Sequence, residues 1–158
     1  MPTKRIQIAV IGGRKVTNTL LRKAETVGRL IAERGAVLLC GGLGGVMEAA
    51  CRGAKSAHGT TVGILPTPNK TDANAYVDVS IPTAIGVARN AIIIQAADAA
   101  IAIGGSYGTL SEMAFALQKG IPLVSVDSWP IDDSVKRISN PDEAVNWIFQ
   151  SIDGLSRL

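Results

Sequence analysis

Three apolar runs in this chain each end in a cluster of glycines. IQIAVI (residues 6 to 11) precedes Gly12-Gly13, AVLLC (36 to 40) precedes GGLGG (41 to 45), and AAIAI (99 to 103) precedes GGSYG (104 to 108). Each cluster is followed by a stretch with helical spacing of its apolar residues. Strand, glycine turn and covering helix, repeated, imply a parallel sheet wrapped on both faces. Right-handed crossovers then gather the strand-to-helix turns at one edge of that sheet. Ligands of such sheets bind at this edge, near the point where the strand order reverses.

The remaining chain reads the same way. Leu20, Leu21, Ala24, Val27, Gly28 and Ile31 form one helical face within residues 18 to 34, with Arg22, Lys23, Glu25, Arg29 and Glu33 opposite. Gly35 ends that helix. A small-residue helix is predicted from Val46 to Ala57, a strand over 60 to 66 stopped by Pro66, a polar loop over 67 to 75, and a short strand over 76 to 82. Further helices are predicted over 85 to 97 and from the GGSYG turn to Lys119, with Gly120 as the stop. IPLVSV (121 to 126) is a sixth strand, 127 to 140 is irregular, and a last helix starts at Pro141 with Asn140 as its N-cap. The expected fold is α/β: a single doubly wound Rossmann-like domain over residues 1 to 158. Its sheet is mainly parallel, with six or seven strands and helices on both faces.

Composition narrows the function. The chain has 158 residues, 47% of them hydrophobic but only 4% aromatic, so its core is built of Val, Ile, Leu and Ala. The net charge is +3, and Lys4, Arg5, Arg14, Lys15, Arg22 and Lys23 are scattered rather than striped, which argues against nucleic acid as a partner. Cys40 and Cys51 lie eleven residues apart with no CxxC pair, and His58 is the one histidine, so no metal site is expected. His58, in SAHGT, reads as exposed filler at a helix end rather than as a catalytic base. With no signal peptide and no long apolar span, a soluble cytoplasmic protein with reduced cysteines and no membrane partner is expected.

Glycine turns at helix starts suit anions. Backbone amides approach closely, and the helix N-terminus adds unpaired donors and partial positive charge. The candidate phosphate- and ligand-binding residues are Gly12, Gly13, Gly41, Gly42, Gly44 and Gly45, together with Gly104, Gly105, Ser106, Tyr107, Gly108 and Thr109. No Gly-Lys-Ser/Thr follows any of the turns, so they are not a P-loop, and the G-x-G-x-x-G spacing of dinucleotide folds is absent. Glu112 lies three residues after Thr109, on the same helix face. Two roles fit that spacing equally: reaching the sugar of a bound phosphorylated ligand, or closing a capping box with Thr109.

Arg89 followed by GGSYGTLSE (104 to 112), with CGGLGGVMEAA (40 to 50) upstream, resembles the lysine-decarboxylase-like, Lonely guy-type phosphoribohydrolases of the SLOG superfamily. That family's pattern is an arginine-lysine pair followed by P-G-G-x-G-T-x-x-E. The resemblance implies cleavage of the N-glycosidic bond of nucleoside 5′-monophosphates, with Arg89 and Glu112 as the catalytic pair and residues 104 to 109 on the phosphate. Here Gly104 replaces the proline, Ser106 the second glycine and Asn90 the lysine. These departures are more similar to a sister branch that includes the molybdenum cofactor carrier proteins, which bind a phosphate-bearing pterin without cleaving it. The resemblance thus implies a small phosphorylated ligand, AMP-like or the molybdenum cofactor, with no further cofactor required. It also implies a homo-oligomer, dimer or tetramer. Consecutive Ile92, Ile93 and Ile94 agree with the latter, since three are too many for one buried face. Trp129 and Trp147 read as packing residues, and Pro66 to Ala75 as a mobile loop over the ligand.

Overall fold

The computed structural model describes residues 3–158. Twelve elements alternate along the chain: β1 (Gln7–Gly12), α1 (Asn18–Glu33), β2 (Val37–Cys40), α2 (Val46–Ser56), β3 (Thr60–Leu65), β4 (Val79–Pro82), α3 (Arg89–Ala96), β5 (Ala99–Ile103), α4 (Tyr107–Lys119), β6 (Leu123–Val126), β7 (Lys136–Arg137) and α5 (Pro141–Leu155). The strands form one sheet in the order β4-β3-β2-β1-β5-β6-β7, and each neighbouring pair is parallel. The chain winds outward from β1 to β4, then returns across the sheet to β5. The order therefore reverses between β1 and β5, where Gly12 is in register with Ile103.

Two apolar layers hold the sheet. One joins it to α1, α2 and α5 through Ile8, Val10, Val27, Ile31, Val46 and Ile148. The other joins it to α3 and α4 through Ile11, Ile93, Ile94, Ala102 and Met113. All five residues of β5 are buried, as expected of a strand covered on both faces. Asn140 caps α5 by accepting from the Glu143 amide at 3.1 Å, with Pro141 at the first helical position.

Three details depart from the sequence reading. Residues 127 to 140 are not wholly irregular, because Lys136 and Arg137 pair with β6 and complete a seventh strand. The helix expected from residue 85 begins as α3 at Arg89, after a single 3-10 turn over Gly86–Ala88. The strand expected over 76 to 82 shortens to β4, because Asp78 instead accepts from the Thr61 amide through its carboxylate. Among the described residues, no helix is long and apolar enough to cross a membrane.

Candidate functional site

The turns after β1, β2 and β5 converge as expected, around a cavity of about 290 Å³ at the strand carboxyl ends. The helix α4 enters it end-on. Tyr107 and Gly108, its first two residues, have backbone amides with no acceptor among the described residues. The Ser106 amide donates to Thr109 Oγ1 at 3.5 Å, so the capping pair is Ser106 with Thr109. Thr109 therefore does not pair with Glu112, and the carboxyl is left to face the cavity. Trp129 steadies the same turn, its indole N–H donating to the Ser106 carbonyl at 2.8 Å while its ring stacks on Tyr107.

The helix α2 makes a different end. The Val46 amide donates to the Gly13 carbonyl at 3.0 Å. Gly45, at φ 67°, is pressed so closely onto the Gly13 and Arg14 carbonyls that any side chain would collide with them. The first amide of α2 is thus turned to protein, whereas among the described residues neither of the first two amides of α4 has an acceptor. Gly12 and Gly41 line it, because their lack of a Cβ lets other groups close in: a Cβ on Gly41 would lie 2.6 Å from Arg89 Nη2. Of the expected ligand residues, Gly12, Gly41, Ser106, Gly108 and Thr109 border the cavity, as do Arg89 and Glu112. Gly13, Gly42, Gly44, Gly45, Gly104, Gly105 and Tyr107 do not; they shape the turns behind it, and Tyr107 is 81% exposed.

Arg89 is buried and makes no ion pair within reach. Its Nε donates to the Ile64 carbonyl at 2.8 Å, its Nη2 to the Gly41 carbonyl at 3.4 Å, and its Nη1 to Asn90 Oδ1. Asn90 in turn donates to Ser111 Oγ at 3.1 Å and to the Gly108 carbonyl at 3.5 Å. One planar amide thereby fixes the guanidinium to the first turn of α4. Replacing Asn90 with alanine strands these groups and is expected to cost about 1–3 kcal/mol in urea unfolding.

Glu112 lies in the second turn of α4, 7% exposed, and accepts no hydrogen bond among the described residues. Burial pushes its carboxyl up to about 8, against the opposing pull of the Arg89 cation. In the ligand-free cavity it is therefore roughly nine-tenths protonated at pH 7. Near neutrality this acid therefore adds little negative charge to the cavity, while Arg89 and Arg14 bring positive charge to its walls.

The sequence reading did not single out the apolar wall, formed by Leu43, Met47, Pro66 and Val87, nor Arg14 at the cavity's rim. Pro66 begins the loop expected to lie over the ligand. Asn74 pins that loop, its amide donating to the Gly42 carbonyl and its side chain to the Leu43 carbonyl, both at 2.9 Å. Cys40 and Cys51 are buried free thiols with sulfurs 3.5 Å apart, and Cys40 Sγ also accepts from the Gly42 amide. Contact with Cys40, and then burial, hold the Cys51 thiol far above its ordinary range.

Comparison with known proteins places this arrangement. The model of the SLOG cluster4 family matches residues 5–151. The chain belongs to the SLOG cluster4 family. An uncharacterized protein of Archaeoglobus fulgidus is 45% identical over 94% of this chain and 97% of its own length. The molybdenum cofactor binding protein of Rippkaea orientalis superposes with a TM-score of 0.89 at 37% identity, covering 94% of this chain and 98% of that one. The molybdenum cofactor carrier protein of Chlamydomonas reinhardtii gives a TM-score of 0.87 at 32% identity, covering 98% and 100%. The SLOG assignment expected from the glycine motifs thus stands, and among the solved structures the similarity runs to the carrier branch.

Proposed function

We propose that this SLOG protein binds and carries a phosphate-bearing pterin, the molybdenum cofactor, without cleaving it. One observation carries the reading: a single cavity joins an open helix N-terminus to an apolar slot. The unpaired amide of Gly108 at the start of α4, with Arg14 at the rim, suits a phosphate. Leu43, Met47, Pro66 and Val87 suit the face of a flat ring. The volume is near the lower end of small-molecule sites, roughly 300–1,000 Å³. The likeness to two cofactor-binding proteins supports the same reading.

The test is retention. Protein made in a host that synthesises the cofactor is purified without air and denatured, and the released pterin is oxidised and measured by fluorescence. Close to one pterin per chain is expected, and a pterin-free protein would overturn the proposal. Arg14 is exposed, so Arg14→Glu should fold normally yet bind pterin phosphate at least about 10-fold more weakly, a loss near 1.4 kcal/mol in isothermal titration.

The nucleoside monophosphate hydrolase reading draws on the presence of Arg89 and Glu112 in the same cavity. A carboxyl that is mostly neutral at pH 7 is a poor stabiliser of a developing sugar cation, which favours carriage. Release of free base from AMP would reverse that preference.

We also propose a homo-oligomer formed through the outer face of α3 and α4. Arg89 and Glu112 are buried, and Lys119 is engaged by the carbonyls of Ile94, Gln95 and Ala97. The exposed positions Ile92, Gln95, Ala114, Phe115 and Gln118 therefore present no charge. Phe115→Asp is expected to halve the particle mass, or reduce it further, in light scattering; an unchanged mass would count against this face.

A further inference from the structure

We propose that Glu112 is the specificity-determining residue of the cavity and reads the 2-amino-4-oxopyrimidine edge shared by pterins and guanine. The proposal rests on the reading that the cavity holds a flat ring bearing a phosphate. It adds which ring, and how the ring is told from others.

Glu112 faces the cavity without a protein partner among the described residues. Glu112 is 7% exposed, lines the cavity, and accepts no hydrogen bond among the described residues. Buried polar groups are almost always partnered. The nearest cation does not serve, because the Arg89 guanidinium is already directed at the carbonyls of Ile64 and Gly41 and at Asn90. The capping box that might have used Glu112 is made by Ser106 and Thr109 instead. The carboxyl, open only to the cavity, is thus left free to take donors from whatever fills it.

Two N–H donors brought by a bound ring would favour the ionised form of this carboxyl, and the chemistry of the missing partner follows from that carboxylate. Its two oxygens lie in one plane and accept two parallel N–H bonds, as they do from an arginine fork. A flat heterocycle matches that pattern only if two adjacent edge atoms both donate. A ring N–H beside an exocyclic amino group does so in pterins and in guanine. Adenine offers one donor and one acceptor, and hypoxanthine keeps the ring N–H but lacks the amino group. Ile11 of β1 and Met47 of α2 also line the cavity and offer apolar surface to the ring face. A site of this kind discriminates strongly, because a ring lacking one donor leaves a buried oxygen unpaired.

The matched ligands are neopterin monophosphate, GMP, IMP and AMP, titrated into the intact protein and into Glu112→Gln. GMP and IMP differ only in the 2-amino group. The native protein is expected to bind neopterin monophosphate and GMP about 100-fold more tightly than IMP and AMP. Glutamine replaces one acceptor with a donor that faces the ring N–H, so in Glu112→Gln the GMP-to-IMP ratio should fall to near one. Folding of the variant is checked by its circular dichroism and unfolding transition. A native protein that binds all four equally, or a variant that keeps the native ratio, would overturn the edge proposal. If the pterin binds without such discrimination, carriage stands and the role of Glu112 falls. If none of the four binds, or AMP alone does, the carrier reading falls with it.

Discussion

Gly28→Ala and Gly53→Ala should each lower the melting temperature by roughly 10 °C, the loss expected for about 3 kcal/mol in a chain of this size. Both glycines lie where α1 and α2 touch backbone to backbone. A methyl on Gly28 would run into the Ala50 carbonyl, and one on Gly53 into the Glu25 carbonyl. Neither neighbour is a flexible side chain, so relief requires the helices to move apart. That movement disturbs the buried row of Val27, Ile31, Ala50 and Ala54 between them. It also shifts the ligand edge, since α2 carries the GGLGG turn and α1 follows the Gly12-Gly13 turn. Gly154 makes the internal comparison. It is also helical, but a methyl there meets nothing within 4 Å. Gly154→Ala should be neutral or stabilising by up to about 1 kcal/mol. Melting temperatures for Gly28→Ala and Gly53→Ala within a degree or two of the native value would mean that the helices are not in contact as described.

Glu112→Gln should stabilise the protein at alkaline pH while leaving it nearly unchanged in mild acid. The carboxyl titrates near 4.5 when unfolded and is pushed up to about 8 in the fold by burial. Between those values the native state holds a proton that the unfolded state has lost. Stability therefore falls as pH rises through this window, at up to about 1.4 kcal/mol per pH unit. Below the window both states are protonated and the group contributes no penalty. Above it a charged carboxylate is buried, at a cost on the order of several kcal/mol. Glutamine keeps the shape and cannot ionise. In urea unfolding, the native and variant curves should meet at about pH 4 and separate steadily up to about pH 8, with the variant more stable. Asp78 and Asp127, whose carboxyls are held low by burial-opposing contacts with Lys55 and Lys23, lose stability only in stronger acid. Parallel curves across the window would show that Glu112 is solvated rather than enclosed. A native protein that keeps this carboxyl against its own stability is consistent with a residue held for a ligand.

The edge that gathers the site was readable because apolar runs ending in glycine recur three times, and handed crossovers leave one place for their turns. The inward residues of α1 followed from their spacing, Gly28 among them. Other features had no such signal. A two-residue strand such as β7 has no side-chain period and exists only through its pairing with Val124 and Ser125. The spacing offers Thr109 and Glu112 as a capping box, because a threonine three residues before a glutamate fits one, whereas the box in the fold is Ser106 with Thr109. The backbone decided it: Ser106 is extended, at φ −116° and ψ −172°, and therefore stands at the N-cap. Arg89 looked like half of a charged pair in the sequence, yet its fork is directed to carbonyls brought from β3 and the β2 turn, contacts 25 and 48 residues away. Asn90 reads in the sequence as a lost lysine; in the fold it is the group that ties Arg89 to α4. Convergence of the turns also did not mean equivalence, because the first amide of α2 is taken by the Gly13 carbonyl while those of Tyr107 and Gly108 in α4 have no acceptor among the described residues.

The most direct measurement is a crystal structure of the protein with neopterin monophosphate bound. The phosphate should accept from the Gly108 amide at ordinary hydrogen-bond length, with the ring edge on Glu112 and the ring face against the apolar side chains of Leu43 and Met47. A phosphate seated elsewhere, with that amide left to water, would contradict the account.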